Sequence, residues 1–159
     1  MIETVLIPED RIKIINKSVT DKLKESLNVT VSLEENAVLI DGEGLELFQA
    51  KNVVKAIGRG FSPVRAYRLM SDDVMLETID LKGYGESRSS AIKSRIIGAG
   101  GKTREIIEEC TKAAVSVYGR TISLIGTWEQ IKNARVAVDM LINGAMHRSV
   151  YSFLEKIRG

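Results

Sequence analysis

The sequence predicts an α+β protein in which one order of elements, strand–helix–helix–strand–strand–helix, occurs twice along 159 residues. Two observations predict this. Short segments in which apolar residues alternate at period two, as in strands, are interspersed with segments whose apolar residues recur at helical spacing. The same order of segments then returns at an offset of roughly 80 to 86 residues, which makes the chain an internal repeat.

The first copy contains three predicted strands and three predicted helices, followed by one short additional helix. Pro8 ends the first strand, because proline cannot donate a ladder hydrogen bond. Thr20 or Ser18 is the predicted N-cap of the second helix, and Ser62 with Pro63 begins the additional helix. In chain order these elements are the strand 3–7, the helices 11–15 and 20–27, the strands 29–33 and 37–40, and the helices 45–57 and 63–70.

The second copy repeats this order and ends in a long helix and a helical tail. Thr127 with Gln130 three residues later forms a predicted capping box for the long helix. His147 begins the predicted tail helix. In chain order the other elements are the strand 74–81, the helices 87–97 and 102–112, and the strands 114–118 and 121–125.

A run of small residues separates the first two helices of the second copy. Residues 95–107 read RIIGAGGKTREII. Glycine permits positive φ angles and close approach of another chain. The first amides of the following helix have no intrahelical partner, and Lys102 and Arg104 add positive charge beside them. The segment therefore favours an anion such as a phosphate at the start of this helix.

The spacing of the glycines distinguishes between known kinds of phosphate-binding loop. A P-loop ending at Gly101-Lys102-Thr103 would need a glycine where the chain has Ile96, and the dinucleotide fingerprint G-x-G-x-x-G does not fit either. The pattern I-I-G-x-x-G-K-x-R-x-I-I between two helices resembles the KH domain, whose G-x-x-G loop clamps the backbone of about four single-stranded nucleotides. A purely structural glycine turn remains the alternative.

The corresponding loop of the first copy contains no glycine. Residues 15–19 read INKSV, one residue fewer than in the second copy. Val19 is β-branched and resists both positive φ and close backbone approach. The first copy is therefore predicted to keep the fold and to lack the clamp.

Charge is distributed unevenly between the two halves of the chain. Residues 1–80 contain 10 Lys and Arg against 14 Asp and Glu, a balance of −4, and residues 81–159 contain 13 against 7, a balance of +6. The two balances give the net charge of +2. Since the basic half also contains the glycine loop, we expect this half to meet nucleic acid.

Other compositional features indicate where the protein acts. Cys110 is the single cysteine, which excludes an internal disulfide and fits a reducing compartment. The acidic first ten residues are unlike a signal peptide, and no apolar run approaches the roughly 20 residues that span a bilayer. We therefore expect a cytoplasmic protein without membrane contact.

Four short motifs in a fixed order resemble the partner-of-Nob family. They read AIGRGFSP at 56–63, SRIIGAGGKTR at 94–104, VSVYGRT at 115–121 and NGAxHxSVY at 143–151. This family comprises archaeal and eukaryotic KH proteins that assist maturation of the small ribosomal subunit, and the resemblance covers residues 5–154.

The resemblance implies a fold and a division of the chain. It implies two tandem type I KH-like domains, each a three-stranded antiparallel sheet packed against three helices. Residues 1–71 would form the domain with a degenerate loop lacking GxxG, and residues 72–159 the KH domain with the GxxG loop and a C-terminal helix.

The resemblance also implies partners. These are single-stranded RNA near the 3′ end of small-subunit ribosomal RNA, the Nob-type endonuclease that cuts there, and the pre-small-subunit ribosome; we expect a monomer. Family members often carry a basic or polar residue inside the loop, where this chain has Ala99 and Gly100. The positive charge must therefore come from residues outside the loop.

We expect the RNA to lie across the second copy. The glycine loop would meet the sugar–phosphate backbone, apolar side chains would form a floor for the bases, and cations would neutralise phosphates and line the rim. The predicted RNA-binding residues are Arg88, Lys93, Arg95, Ile97, Gly98, Ala99, Gly100, Gly101, Lys102, Arg104, Val117 and Arg120.

An enzyme is the contrasting class of function. The sequence contains no Ser/His/Asp set and no metal-spaced cluster, and His147 has no second histidine or cysteine near it. The doublet Asp72-Asp73 is explained by a solvated turn. We therefore predict no catalytic residue, metal or cofactor. Two alternative functions remain: a protein–protein adaptor with weak RNA contact, and a KH-type RNA-binding subunit of an RNA-processing complex. The adaptor function would be retained after loss of the glycine loop.

Overall fold

Two three-stranded antiparallel sheets organise the chain. The computed structural model describes residues 1–158, and the chain divides into two compact units, Met1–Val74 and the described residues from Met75 onward. The strand that is third in sequence lies in the middle of each sheet, in the orders β1-β3-β2 and β4-β6-β5. The predicted α+β class with two such sheets is therefore confirmed. The strands are β1 (Ile2–Leu6), β2 (Thr30–Glu34), β3 (Ala37–Asp41), β4 (Met75–Asp80), β5 (Ala114–Tyr118) and β6 (Thr121–Gly126).

Eight α-helices cover the described residues, four in each unit. Three helices in each unit belong to the predicted repeat, and the additional helices predicted to begin at Pro63 and His147 are the fourth in each unit. None of these helices is long and apolar enough to cross a membrane. The helices are α1 (Glu9–Ile12), α2 (Lys17–Leu27), α3 (Gly44–Gly58), α4 (Pro63–Ala66), α5 (Glu86–Ile97), α6 (Lys102–Thr111), α7 (Trp128–Ile142) and α8 (His147–Arg158).

The first unit forms its core between one sheet face and its helices. Alternation in β3 turns Val38 and Ile40 inward, where both are fully buried, and Val5 of β1 lies directly opposite Val38. Phe61, in the segment between α3 and α4, is also buried. Arg11 fixes this segment, since its guanidinium donates to the carbonyl oxygens of Ile57 and Phe61 at 2.8 and 2.9 Å.

The second unit buries one continuous apolar cluster beneath its sheet. One face of α7, whose residues recur at i, i+3, i+7, i+10 and i+11 from Ile131, is buried along its whole length. The capping box predicted at the start of α7 is present, with the Thr127 hydroxyl accepting from the Gln130 amide and the Gln130 side chain accepting from the Thr127 amide. The α7 residues in this cluster are Ile131, Ala134, Ala137, Val138, Leu141 and Ile142.

Four predicted helices have different bounds in the structure. The predicted helix 11–15 is α1 at Glu9–Ile12, which begins directly after Pro8. Helix α2 begins earlier than expected, because Asn16 rather than Thr20 or Ser18 is its N-cap. The predicted helix 63–70 is α4 followed by a 3₁₀ turn at Tyr67–Met70. Helix α8 continues to Arg158, well beyond the expected apolar stretch.

Candidate nucleic-acid interface

The glycine segment forms a tight turn that ends at the first residue of α6. Gly98 ends α5, its amide donating to the carbonyl of Ser94 at 2.9 Å, and the amide of Gly101 donates back to the carbonyl of Gly98 at 3.1 Å. Gly98, Gly100 and Gly101 all have positive φ, at 75°, 62° and 79°. Ala99 and Gly100 form the exposed tip of the turn. The tip therefore offers bare backbone to solvent.

Gly98 is required by contact with Thr103 as well as by its φ angle. A Cβ atom on Gly98 would lie 2.2 Å from the Thr103 hydroxyl oxygen and 2.7 Å from its Cβ, whereas one on Gly100 or Gly101 would meet nothing within 4 Å. Its φ of 75° with ψ of 171° lies in a region that is essentially restricted to glycine. The close approach at Gly98 thus serves the fold, and the open space above Gly100 and Gly101 is available to a ligand.

The first turn of α6 has no side-chain cap, in contrast to the matching helix of the first unit. Gly101 is the N-cap of α6 and supplies no side chain, so the helix presents free amides and the positive end of its dipole. At the start of α2, the Asn16 side chain accepts from the Val19 amide at 3.1 Å. Of these two matching helices, only α6 therefore combines glycine backbone with an uncapped start, which is a favourable place for an anion.

Two predicted cations on α6 differ in their surroundings. Lys102 is exposed and makes no ion pair or hydrogen bond with the residues that the structure describes. Arg104 pairs with Glu108 at 2.9 Å, and the other oxygen of that carboxylate accepts from the amide of Val115 in β5 at 2.8 Å. Lys102 is thus available to neutralise a phosphate, while Arg104 lies in a chain of contacts that joins α6 to the edge strand β5.

Several predicted residues lie around the surface between α5 and the β5–β6 turn. Lys93 donates to the carbonyl oxygen of Gly119 at 2.8 Å, so this face of α5 approaches the turn. Ile97, one turn later on the same face, is 37% exposed, and Val117 is half-buried against the core. Arg120 is exposed, with its guanidinium 3.9 Å from the Glu86 carboxylate. The loop, α5, α6 and β5 therefore border one surface with apolar and basic groups.

Arg95 and Arg88 lie elsewhere on α5. The Arg95 guanidinium donates to the carbonyl oxygens of Leu141 and Ala145, at the end of α7 and in the segment that follows it. Arg88 is exposed, with its guanidinium 5.0 Å from the centre of the Tyr84 ring. Arg95 is thus hydrogen-bonded within the fold, on the side of α5 opposite Lys93 and Ile97. Arg88 lies near the start of α5.

Three residues that hydrogen-bond to each other or to the ends of the helices flanking the loop were not predicted from the sequence. The Thr103 hydroxyl, 1% exposed, lies 2.9 Å from the Tyr151 hydroxyl. His147 Nε2 lies 3.0 Å from the carbonyl oxygen of Arg95 and must donate to it, since a carbonyl only accepts. The sequence signals for His147 and Tyr151 were the motif at 143–151, which contains both, and their i, i+4 spacing, which places both on one face of α8.

Comparison with known proteins agrees with this architecture. Residues 75–159 match a family model described as eukaryotic type KH-domain (KH-domain type I). The chain is 39% identical to a KH domain-containing protein, MJ0443, of Methanocaldococcus jannaschii, over 99% of this chain and 74% of that protein. It is 33% identical to the pre-rRNA-processing protein PNO1 of Candida albicans, over 86% of this chain and 51% of the relative. The chain thus spans about half the length of this PNO1 relative.

A solved structure extends the similarity to nearly the whole chain. Dim2p from Pyrococcus horikoshii OT3 superposes with a TM-score of 0.91 at 37% identity, covering 98% of this chain and 99% of that one. A second structure from this organism, an a/eIF2alpha-aDim2p-rRNA complex, gives a TM-score of 0.91 at 36% identity over 99% and 94%. With the KH match and the level of identity to these relatives, the chain belongs to the PNO1/Dim2 family of KH-domain ribosome assembly factors.

Proposed function

We propose that the protein binds single-stranded RNA near the 3′ end of small-subunit ribosomal RNA through the loop Gly98–Gly101. One observation carries the proposal: α6 starts without a side-chain cap directly after three glycines with positive φ, beside the exposed Lys102. Free helix amides and glycine backbone bind phosphate through hydrogen bonds that no side chain obstructs. In this proposal residues 72–159 form the RNA-binding domain.

The contacts divide between the strand's backbone and its bases. The exposed amides around Ala99 and Gly100 meet the sugar–phosphate chain, and Lys102 neutralises a phosphate. Ile97 and Val117 form an apolar floor for bases that leave the stack. Four of the remaining predicted cations line the rim of this surface near the RNA strand: Arg88, Lys93, Arg104 and Arg120. Arg95 instead fixes α5 against the end of α7.

The relatives support this assignment. A relative in Oryzias latipes, 34% identical over 70% of this chain, is named RNA-binding protein PNO1, and others are named pre-rRNA-processing proteins. The Dim2p complex contains ribosomal RNA. The further proposal, that this chain assists a Nob-type endonuclease on the pre-small-subunit ribosome, rests on the family to which the chain belongs and on the pre-rRNA-processing names of its relatives.

The first unit is proposed to have a different role, in protein contact. The side chain of Asn16 caps the start of α2, and Lys17, the first residue of α2, pairs with Asp21 at 2.8 Å. The hydrogen bond and attraction to Asp21 raise the pKa of Lys17. Leu45 and Phe48 on α3 are exposed apolar residues in the same unit. In this proposal residues 1–71 bind no RNA backbone, and the adaptor function is the second candidate.

Charge reversal at the loop tip tests RNA binding. Ala99→Asp/Gly100→Asp places two carboxylates where phosphate is proposed to lie, and Asp tolerates the φ of 62° at position 100. Ala99→Asn/Gly100→Asn is the matched neutral control with side chains of the same shape. We expect the Asp variant to bind labelled strands from the rRNA 3′ end at least about tenfold more weakly, since like charges at an interface cost several kcal/mol. The Asn variant should bind within about threefold of the parent protein.

The same pair of variants separates the clamp from the adaptor. If the folded Asp variant binds RNA as well as the Asn variant does, the loop is not the clamp. Capture of purified Nob-type endonuclease is then measured with both variants. An RNA clamp that recruits the endonuclease through RNA loses capture in the Asp variant, whereas an adaptor retains it.

A further inference from the structure

A cavity of about 430 Å³ lies on the side of the glycine loop that faces α8. It opens between the last turn of α5 and the first turn of α6, and α8 forms its far wall. This volume is within the range of roughly 300 to 1,000 Å³ that is usual for small-molecule pockets. The residues that line it are Ser94, Arg95, Gly98, Ala99, Lys102, Thr103, His147 and Tyr151.

The cavity presents two aromatic rings and one available cation. The rings of His147 and Tyr151 lie 6.1 Å apart at an interplanar angle of 56°. The hydroxyl of Tyr151 is hydrogen-bonded to the hydroxyl of Thr103, and the guanidinium of Arg95 donates to two carbonyl oxygens. Lys102 is therefore the cation that remains for a ligand, at the rim where the loop meets α6.

Hydrogen bonds to the loop hold these rings in place. His147 donates to the carbonyl oxygen of Arg95, near the end of α5, and Tyr151 bonds Thr103 in the first turn of α6. Thr103 in turn packs so closely against Gly98 that no Cβ fits between them. The cavity is thus preformed, and its walls are joined directly to the residues that shape the loop.

We infer that this cavity binds one nucleobase of the RNA strand that crosses the loop. This inference rests on the proposed function, because it places the base on the nucleotide next to the stretch of backbone held by Gly98–Gly101. Lys102 neutralises the phosphate at the rim, and the base enters the cavity against the rings of His147 and Tyr151. A base fits this lining better than a phosphate does, since ring faces and the Ala99 methyl group are apolar and aromatic side chains stack on any base.

Filling the cavity provides a direct test on the full chain. Ser94 lines the cavity and is exposed, with its side chain outside the loop's hydrogen bonds, so that Ser94→Phe occupies the space and leaves the loop backbone in place. Ser90→Phe is the matched control, because Ser90 is an exposed residue one turn earlier on α5 and does not line the cavity. Affinity is measured for one strand that binds the parent protein and for a set of its derivatives, each with a single abasic nucleotide.

The inference predicts one sensitive position in the strand. Removing that base should weaken binding to the parent protein by about 5- to 150-fold, which corresponds to the usual 1–3 kcal/mol per stacked base. Ser90→Phe should show the same profile. Ser94→Phe should bind the intact strand more weakly by that factor and be insensitive to the abasic nucleotide at that position. His147→Ala, which removes one ring, should reduce the sensitivity at the same position.

Other outcomes overturn the inference. If Ser94→Phe shows the parent's profile and affinity, the cavity receives no base. The difference between the Asp and Asn variants at Ala99 and Gly100, whose side chains have the same shape, still reports separately on the loop. If Ser94→Phe weakens every strand equally, including the one that lacks the sensitive base, the substitution acts on the backbone clamp and the subsite is refuted. If no strand binds the parent protein, the proposed function and the subsite fail together.

Discussion

Gly98 shows how a single residue can be required by the fold of a binding loop. It adopts φ 75° and ψ 171°, and its hydrogen atom faces the Thr103 side chain at a distance that excludes a Cβ. Gly100 has a positive φ as well but faces open space. Both glycines therefore need a positive φ, and only Gly98 also needs the absence of a Cβ atom.

Alanine substitutions should separate these two constraints. We expect Gly98→Ala to lower the free energy of unfolding by roughly 2–6 kcal/mol, because backbone strain and overpacking each cost about 1–3 kcal/mol. Gly100→Ala should lower it by roughly 1–2 kcal/mol, the cost of the left-handed conformation alone. Urea unfolding of both variants measures the difference. Equal losses would show that contact with Thr103 does not constrain Gly98.

The hydroxyl pair of Thr103 and Tyr151 gives a second prediction at this scale. Tyr151→Phe should lower the free energy of unfolding by about 1–3 kcal/mol, because it leaves a buried hydroxyl without a partner. Replacing both hydroxyls, by Tyr151→Phe with Thr103→Val, should cost less than the sum of the single changes. A double-mutant cycle measured by urea unfolding gives the coupling energy. Additive losses would mean that the two hydroxyls do not stabilise each other.

At the scale of elements, α2 and α6 occupy matching positions but begin differently. Asn16 satisfies an amide at the start of α2, whereas α6 follows directly from glycine with no side-chain cap. A capped start is more stable, and an uncapped one leaves donors for a ligand. The first unit thus has the capped helix start, and the second has the start that is proposed to bind RNA.

Removing the Asn16 cap should therefore affect stability and leave RNA binding unchanged. Asn16→Ala is expected to lower the free energy of unfolding by about 1 kcal/mol, the usual contribution of an N-cap. Asn16→Ser, which restores a favoured cap, serves as the control and should lie within about 0.5 kcal/mol of the parent protein. Thermal unfolding and strand affinity are measured together. A fall in RNA affinity with Asn16→Ala would place RNA on the first unit and contradict the division of roles.

Salt dependence should distinguish the two cations at the start of α6. Lys102→Ala should weaken RNA binding and reduce the slope of log K against log salt by about 0.7, the value for one phosphate contact on a single strand. Arg104→Ala should reduce the slope by less, because Arg104 is paired with Glu108. Affinities from 50 to 200 mM salt provide the slopes. An equal reduction in both variants would show that Arg104 leaves Glu108 to contact phosphate.

At the scale of the whole molecule, charge and loop chemistry indicate the same half of the chain. The basic residues exceed the acidic ones only in residues 81–159, which also contain the uncapped α6 and the cavity against α8. The first unit repeats the strand order of the second without these features. Two units with the same strand order thus have different surfaces.

Amide hydrogen exchange on the full chain should show this asymmetry. We expect saturating RNA to slow exchange at Gly98–Arg104 and along β5, because the strand covers free amides there. Residues 15–20, the matching loop of the first unit, should exchange at the same rate with and without RNA. The Asp variant of the loop tip serves as the control. Protection confined to residues 15–20 would assign binding to the first unit.

Local patterns predicted most of the fold. Period-two segments gave all six strands to within about one or two residues, which is the usual uncertainty of element boundaries. The capping box at Thr127 and the helix start at Ser62-Pro63 were confirmed. Both signals are local, because the first depends on residues three positions apart and the second on adjacent residues. Asn16 was missed as a cap, since Ser18 and Thr20 are equally good candidates in the sequence. The RNA contacts of the predicted RNA-binding residues stay predictions.

The sequence by itself determined the repeat, the two sheets, the glycine loop and the basic half, because spacing and residue type act over a few neighbouring residues. Only the tertiary structure decided which cations are available. Arg95 caps the end of α7 some 46 residues away, while Lys102 stays free of ion pairs within the described chain. It also decided that His147 and Tyr151 join the loop and form a cavity behind it. Contacts between residues far apart in sequence depend on packing, which no local pattern records.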